Sequence, residues 1–318
     1  LEGVGGIRAG LFWFNDRRAV TMEDFDTASG RTSLLTDNFN HVDNGGTPLR
    51  TALDHAGKQY HRTGSGAPIT QQCQKNFTLL FTDGYANTGF TGVGNADSAK
   101  GSPYADSYSN TAADIAMHYY SENARPSMEP GQVDTPSGCS EANPDPSLDC
   151  NADLHMNTYT VGLGARGTIF GQTHHTVADA YANPPQWPNV NNDRDRRQVD
   201  DFYHAAVNGR GQIFNADSPA TLADALKGAL TGISGKIGTA ASVTFNTGQL
   251  ETGSTLYRST FNSGNWSGKL FAHLLDPQTG DVAASPTWEA AAALDARDLT
   301  SDPRTILTLG ATDGVPFQ

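Results

Sequence analysis

The chain has 318 residues, 37% of them hydrophobic, which is enough to bury a sizeable core as one large domain or two modest ones. Its 34 Asp and Glu outnumber its 21 Lys and Arg, for a net charge of −13, so nucleic acid and anionic lipid are discounted as partners. No stretch reaches the ~18 apolar residues of a membrane-spanning helix.

Residues 7–14 read as a strand ending at the turn Asn15-Asp16. The mixed segment that follows to Asn44 suggests an edge strand and a helix. Gly45-Gly46-Thr47-Pro48 then opens a helix whose apolar face is Leu49, Ala52, Leu53, Ala56 and Tyr60. Pro48 suits the first helical position and Thr47 the N-cap. After the Gly64-Ser65-Gly66 loop comes Asn76-Phe77-Thr78-Leu79-Leu80-Phe81-Thr82-Asp83-Gly84. An uncharged run bounded by turn residues suits a strand buried on both faces of a parallel sheet, so this strand is expected to be central. An aspartate just past such a strand lies at the carboxyl edge, where open α/β sheets bind ligands. Thr47 and Asp83 therefore read as two ligands of one metal-ion site.

Residues 85–155 form a long polar insertion. Within it, Ala112, Ile115, Ala116 and Tyr119 keep helical spacing, and Cys139 and Cys150 share one polar loop. Thiols in such a loop point to a disulfide, and a disulfide points to a compartment outside the cytosol. Cys73 is left as a buried small residue or half of another bridge. Residues 158–163 read as a second buried strand, 201–208 as a short helix closed by Gly209, and 212–215 as a strand. Ser218-Pro219 starts an amphipathic helix marked by Leu222, Ala225, Leu226, Ala229, Leu230, Ile233 and Ile237. Beyond Gly238 the pattern alternates. Strands are expected over 242–245, 254–261, 267–275 and 304–309, with a helical piece over 288–294. A boundary near 238 divides an alternating strand–helix domain from an antiparallel β module.

Other polar residues read as structural. Adjacent His174 and His175 point apart and lack cysteine or Glu-x-x-His company, His204 reads as packed and hydrogen-bonded, and the charge run 193–197 reads as a solvated loop. No nucleophile elbow, phosphate loop, zinc motif or carboxylate pair is identifiable by spacing.

The first part resembles a von Willebrand factor type A domain. Thr47 in Gly-Gly-Thr-Pro-Leu and Asp83 in Phe-Thr-Asp-Gly match two of the three loops of that domain's metal-ion-dependent adhesion site. More narrowly, residues 45–53, 73–85, 113–120, 200–211 and Trp266-Ser267-Gly268 together resemble the PilY family of pilus-tip adhesion and assembly proteins. The resemblance implies a doubly wound, Rossmann-type sheet over 1–238 with long insertions, and a small β module over 239–318 leading toward a C-terminal propeller that is absent here. It implies a divalent cation, Mg²⁺ or Ca²⁺, in a non-enzymatic adhesin at the cell surface. The partners it implies are minor pilins of the pilus-tip complex and a host or abiotic surface. No Asp-x-Ser-x-Ser occurs in the chain, so the resemblance places that loop and its central strand upstream of Leu1, and leaves the metal site incomplete. Two other readings are kept beside it, a metal-assisted hydrolase using Asp83 and a disulfide-stapled structural spacer.

Overall fold

The structure is a computed structural model. It describes residues 7–216 except 26, 43–44, 83–84, 87 and 192–194, together with parts of 218–316. The chain divides into two compact units, Leu1–Ile233 and Ser234–Gln318.

The first unit contains β1 (Arg8–Ala9), β2 (Glu23–Asp24), α1 (Ala28–Asn40), α2 (Leu49–Tyr60), β3 (Asn76–Thr82), α3 (Ala112–Ser121), β4 (Met156–Leu163), α4 (Val177–Ala182), α5 (Arg197–Asn208) and β5 (Arg210–Ala216). The three longer strands form a parallel sheet in the order β3-β4-β5, with Asn76 opposite Met156 and Thr82 opposite Gly162. Parallel neighbours require crossover connections. Helix α3 lies in the crossover from β3 to β4, while α4 and α5 lie between β4 and β5. The 85–155 segment therefore holds a core helix. Ala112, Ala113, Ile115 and Ala116 are fully buried.

Among the described residues the middle strand of this sheet is β4, not β3. Seven of the eight residues of β4 are buried. On one face of the sheet, Leu80, Met156 and Ile213 join Leu49, Leu53, Ile115, Phe202 and Tyr203 in the main core. On the other, Val161 and Ala216 pack with Leu79, Leu163, Phe214 and Leu222. Strand β3 pairs only with β4 among the described residues, and Phe81 is 37% exposed. An apolar run signals two-sided burial but not position in the strand order.

The expected strand over 7–14 shrinks to Arg8–Ala9, which pairs with Glu23–Asp24. Trp13 and Asp16 close a tight turn through mutual backbone hydrogen bonds, and the Trp13 ring stacks on His41 at 3.8 Å. The aromatic run thus serves local packing rather than a ladder. Of the helix expected after Pro219, residues 221, 222, 224, 227–230 and 233 are described, and all are helical.

Helices α2 and α3 meet at Gly57, where an added Cβ would lie 2.2 Å from the Tyr119 ring. The Tyr119 hydroxyl donates to Asp54 at 2.8 Å, so the ring is held across the only space a larger residue could use. A smaller cluster of Ile69, Ala124, Val133 and Leu154 pins the loop after α3. Further along that loop, Cys139 and Cys150 are bonded with their Cα atoms 5.4 Å apart. Cys73 is a free, exposed thiol, and the burial expected of it does not hold.

The second unit contains β6 (Ser242–Phe245), β7 (Thr255–Asn262), β8 (Ser267–Leu274), β9 (Trp288–Glu289), α6 (Ala290–Asp295), β10 (Leu307–Leu309) and β11 (Gly314–Pro316). The first four strands form an antiparallel sheet in sequence order, and β10 pairs with β11. Trp288, expected to open a helix, is instead a strand residue opposite Ala272 whose ring meets Tyr257. The helix starts after Glu289, whose carboxylate accepts from the amides of Ala291 and Ala292. Trp266 lies outside the described residues.

Two stability measurements follow. Gly57→Ala lowers the unfolding free energy by ~1–3 kcal/mol through overpacking against Tyr119, read by urea denaturation. Cys139→Ser with Cys150→Ser removes a short loop closure and costs ~2–3 kcal/mol, read as a lower melting temperature that added reductant reproduces in the parent chain.

Candidate functional site

One ion pair ties the starts of two helices of the first unit, α2 and α3, to the second turn of a third, α5. Arg50, in the first turn of α2, is 4% exposed. Its Nε and Nη2 donate to Asp201 Oδ2 at 3.1 and 3.0 Å, Nη2 donates also to the Val190 carbonyl, and Nη1 donates to Asn191 Oδ1. Asp201 simultaneously accepts from the amides of Ala112 and Ala113, the first residues of α3, at 3.1 and 3.2 Å. An anionic carboxylate is favourable there because the first amides of a helix lack intrahelical acceptors. The neighbouring Asp200 points elsewhere. Its carboxylate accepts from the amides of Thr168, Ile169 and Phe170 and from the Thr168 hydroxyl, and so holds the turn that follows β4.

In a parallel strand–helix–strand unit each helix starts beyond the carboxyl end of the strand before it, so this cluster of helix starts belongs to the carboxyl edge of the sheet. Thr47 lies here, half-buried, two residues before Leu49. The N-cap of α2 is Pro48 rather than Thr47. With ψ of 59° Pro48 is outside the helical region, so the helix begins one residue later than expected. The Thr47 carbonyl accepts from Leu49 N at 2.9 Å. Asp83, the residue after Thr82 and the second expected cation ligand, lies outside the described residues.

A second polar cluster extends along α5. Asp201, His204 and Asn208 are spaced three and four apart and so share one helix face. All three are buried. His204 lies against Asp97 and Asp106 from the loop between β3 and α3, with Nε2 3.6 Å from Asp97 Oδ2 and Nδ1 3.5 Å from Asp106 Oδ2. Burial pushes the Asp97 carboxyl up to about 6 and Asp106 to about 7, and raises Asp114. Burial also lowers His204 to about 3, so the imidazole is neutral and its contacts to the two carboxyl groups are not ion pairs. Among the described residues, Asp97, Asp106 and His204 are the three that could jointly hold a metal ion. Sequence reading passed over this cluster and the Arg50–Asp201 pair. The available signal was three polar residues at helical spacing on a helix that also carries Val199, Phe202, Ala205, Ala206 and Val207.

The residues set aside as structural hold local contacts. His174 bonds Thr173 and the Asn183 carbonyl, and Asp195 pairs with Arg197. Among the described residues no helix is long and apolar enough to cross a membrane.

The chain can be set against known proteins. The type IV pilus biogenesis factor PilY1 of Pseudomonas aeruginosa strain PAK is 33% identical over 316 residues, covering 86% of this chain and 27% of that protein. The chain belongs to the PilY1 family. The PilY1 of strain PAO1 is 32% identical over 310 residues, and a PilY1 homolog of Xylella fastidiosa is 34% identical over 107 residues, 33% of this chain. The chain spans about a quarter of the length of the Pseudomonas PilY1 proteins it matches. No protein-family profile matches it, and no solved structure does.

The ion pair supplies a test. Asp201→Ala leaves Arg50 buried without its carboxylate and lowers stability by ~3–5 kcal/mol in urea denaturation. Adding Arg50→Met to that variant recovers part of the loss, so the double variant is less destabilised than the sum of the single changes.

Proposed function

We propose that this chain is the part of a PilY1-type factor that acts in type IV pilus biogenesis and surface adhesion through protein contacts, without catalysis. The observation that carries this reading is the 33% identity to PilY1 across 86% of the chain. The proposed binding surface is the carboxyl edge of the parallel sheet, as in a von Willebrand factor type A domain. Two features support that comparison. The starts of α2 and α3 converge through Arg50 on Asp201, in the second turn of α5. The outer edge of β3 has no paired strand among the described residues, which leaves room beside it for the central strand that such a domain carries.

In this reading Thr47 and Asp83 supply a hydroxyl and a carboxylate to a Mg²⁺ or Ca²⁺ ion, hard donors suited to a hard cation. Further oxygen ligands come from outside these two loops. The cation completes its shell with a carboxylate of the bound partner. Those partners are minor pilins of the tip complex and a host or abiotic surface, and the factor works outside the cell at the pilus tip. The disulfide in the α3–β4 connection suits that oxidising location.

The reading is tested in the full-length protein carrying this chain, expressed in a piliated strain. Asp83→Ala, Thr47→Ala and EDTA treatment each reduce surface attachment at least ~10-fold, the scale of one lost ion contact worth ~1.4 kcal/mol. Pilus number, counted separately, reports the biogenesis role. Attachment unchanged in all three conditions overturns cation-dependent adhesion. Normal piliation and attachment after deletion of the whole segment overturns the broader reading.

A further inference from the structure

The buried cluster on α5 lies apart from Thr47 and has a geometry of its own. His204 is 2% exposed and its ring is fixed on two sides. The Trp187 ring stacks on it at 3.9 Å with planes 7° apart, and Nε2 donates to the Tyr104 carbonyl at 2.6 Å. That hydrogen bond assigns the ring proton to Nε2 and leaves a bare lone pair on Nδ1. Facing Nδ1 at 3.5 Å is Asp106 Oδ2, whose other oxygen is already engaged by the Tyr108 amide at 2.7 Å. The two atoms thus face each other across a buried gap longer than a normal hydrogen bond.

The distance is longer than a shared proton would give and has room for an ion. A hydrogen bond between these atoms would bring them to roughly 2.7–3.2 Å. Two ligands held ~2.1 Å from one tetrahedral ion stand roughly 3.4 Å apart. The observed separation has the second value. Asp97 supplies a third donor, since one atom from each of Asp97, Asp106 and His204 lies within 4.8 Å of the others. Asp97 is itself oriented by the Asp106 amide at 3.2 Å and by Asn208 Nδ2 at 2.8 Å. Asn208 is fully buried, and its Oδ1 has no hydrogen-bond partner, a second acceptor left bare on the same helix face. An imidazole that gives its far N–H to a backbone carbonyl while its near nitrogen faces a carboxylate is the arrangement that orients a metal-binding histidine; Asp106 faces Nδ1, and Asp97 Oδ2 approaches the ring from the Nε2 side at 3.6 Å.

We propose that Asp97, Asp106 and His204 form a structural site for one divalent transition-metal ion of the zinc class, which ties the β3–α3 loop to α5. An imidazole with two carboxylates favours zinc or a first-row neighbour over calcium, which prefers six or more oxygens. The ion fills the gap between Nδ1 and Asp106 and offsets the charge of the two carboxylates.

The test uses the 318-residue chain, stripped with chelator and then dialysed against Zn²⁺, Mn²⁺ or Ca²⁺ alone. Elemental analysis should find one equivalent of zinc per chain. Zinc at 100-fold excess over its Kd should raise the melting temperature by roughly 5 °C or more, with a smaller rise for manganese. Asp106→Asn and His204→Gln should each weaken zinc binding at least 10-fold in a competition titration with a chelating dye. The parent chain's own titration decides the matter if either variant fails to fold. Three results would overturn the site: no zinc retained and no thermal shift in the parent chain, undiminished zinc affinity in both variants, or a shift with calcium and none with zinc.

Discussion

The Arg50–Asp201 pair is the constraint on which the first unit depends. It joins residues 151 positions apart, and its two side chains are almost wholly removed from water. Such a pair contributes little net stability relative to apolar residues of the same volume, because both charges must be desolvated. Its effect lies in geometry. Asp201 can satisfy Arg50 and the first amides of α3 together only if α2 and α3 start side by side, against the second turn of α5. The tight contact of Gly57 with Tyr119 and the burial of the α3 alanines then follow as the packing of helices whose starting points are already set.

Much of this architecture was legible in the residues. The alternation of strands and helices, the strands at 76–82 and 156–163, the helix from Leu49, the helix around Ile115 and the antiparallel pattern after 240 all follow from local periodicity, which the chain displays clearly. What was not legible was order and pairing. Phe77 to Phe81 read as a central strand because run length reports apolar content alone; the neighbour count of a strand is a tertiary property, and β4 holds the middle. The aromatic residues from 11 to 14 read as a strand, yet their partners are side chains such as His41 and His55.

The candidate sites divide in the same way. Thr47 could be singled out because a threonine before a helix-opening proline has a local signature. Asp97, Asp106 and His204 have none. Asp97 and Asp106 share one loop, His204 lies about a hundred residues further along the chain, and their meeting depends on α5 packing against the β3–α3 loop. His204 read as a packed, hydrogen-bonded residue, which the structure bears out through Trp187 and Tyr104, but that description covers one ring nitrogen and not the other.

Asp200 and Asp201 have one further consequence. Adjacent positions on a helix point about 100° apart. One carboxylate is locked into the turn after β4 and the other into the starts of two helices. Any roll of α5 about its axis would break both sets of hydrogen bonds at once. The helix is therefore keyed against rotation, and a pull applied at either end is passed along its length as displacement rather than as twist.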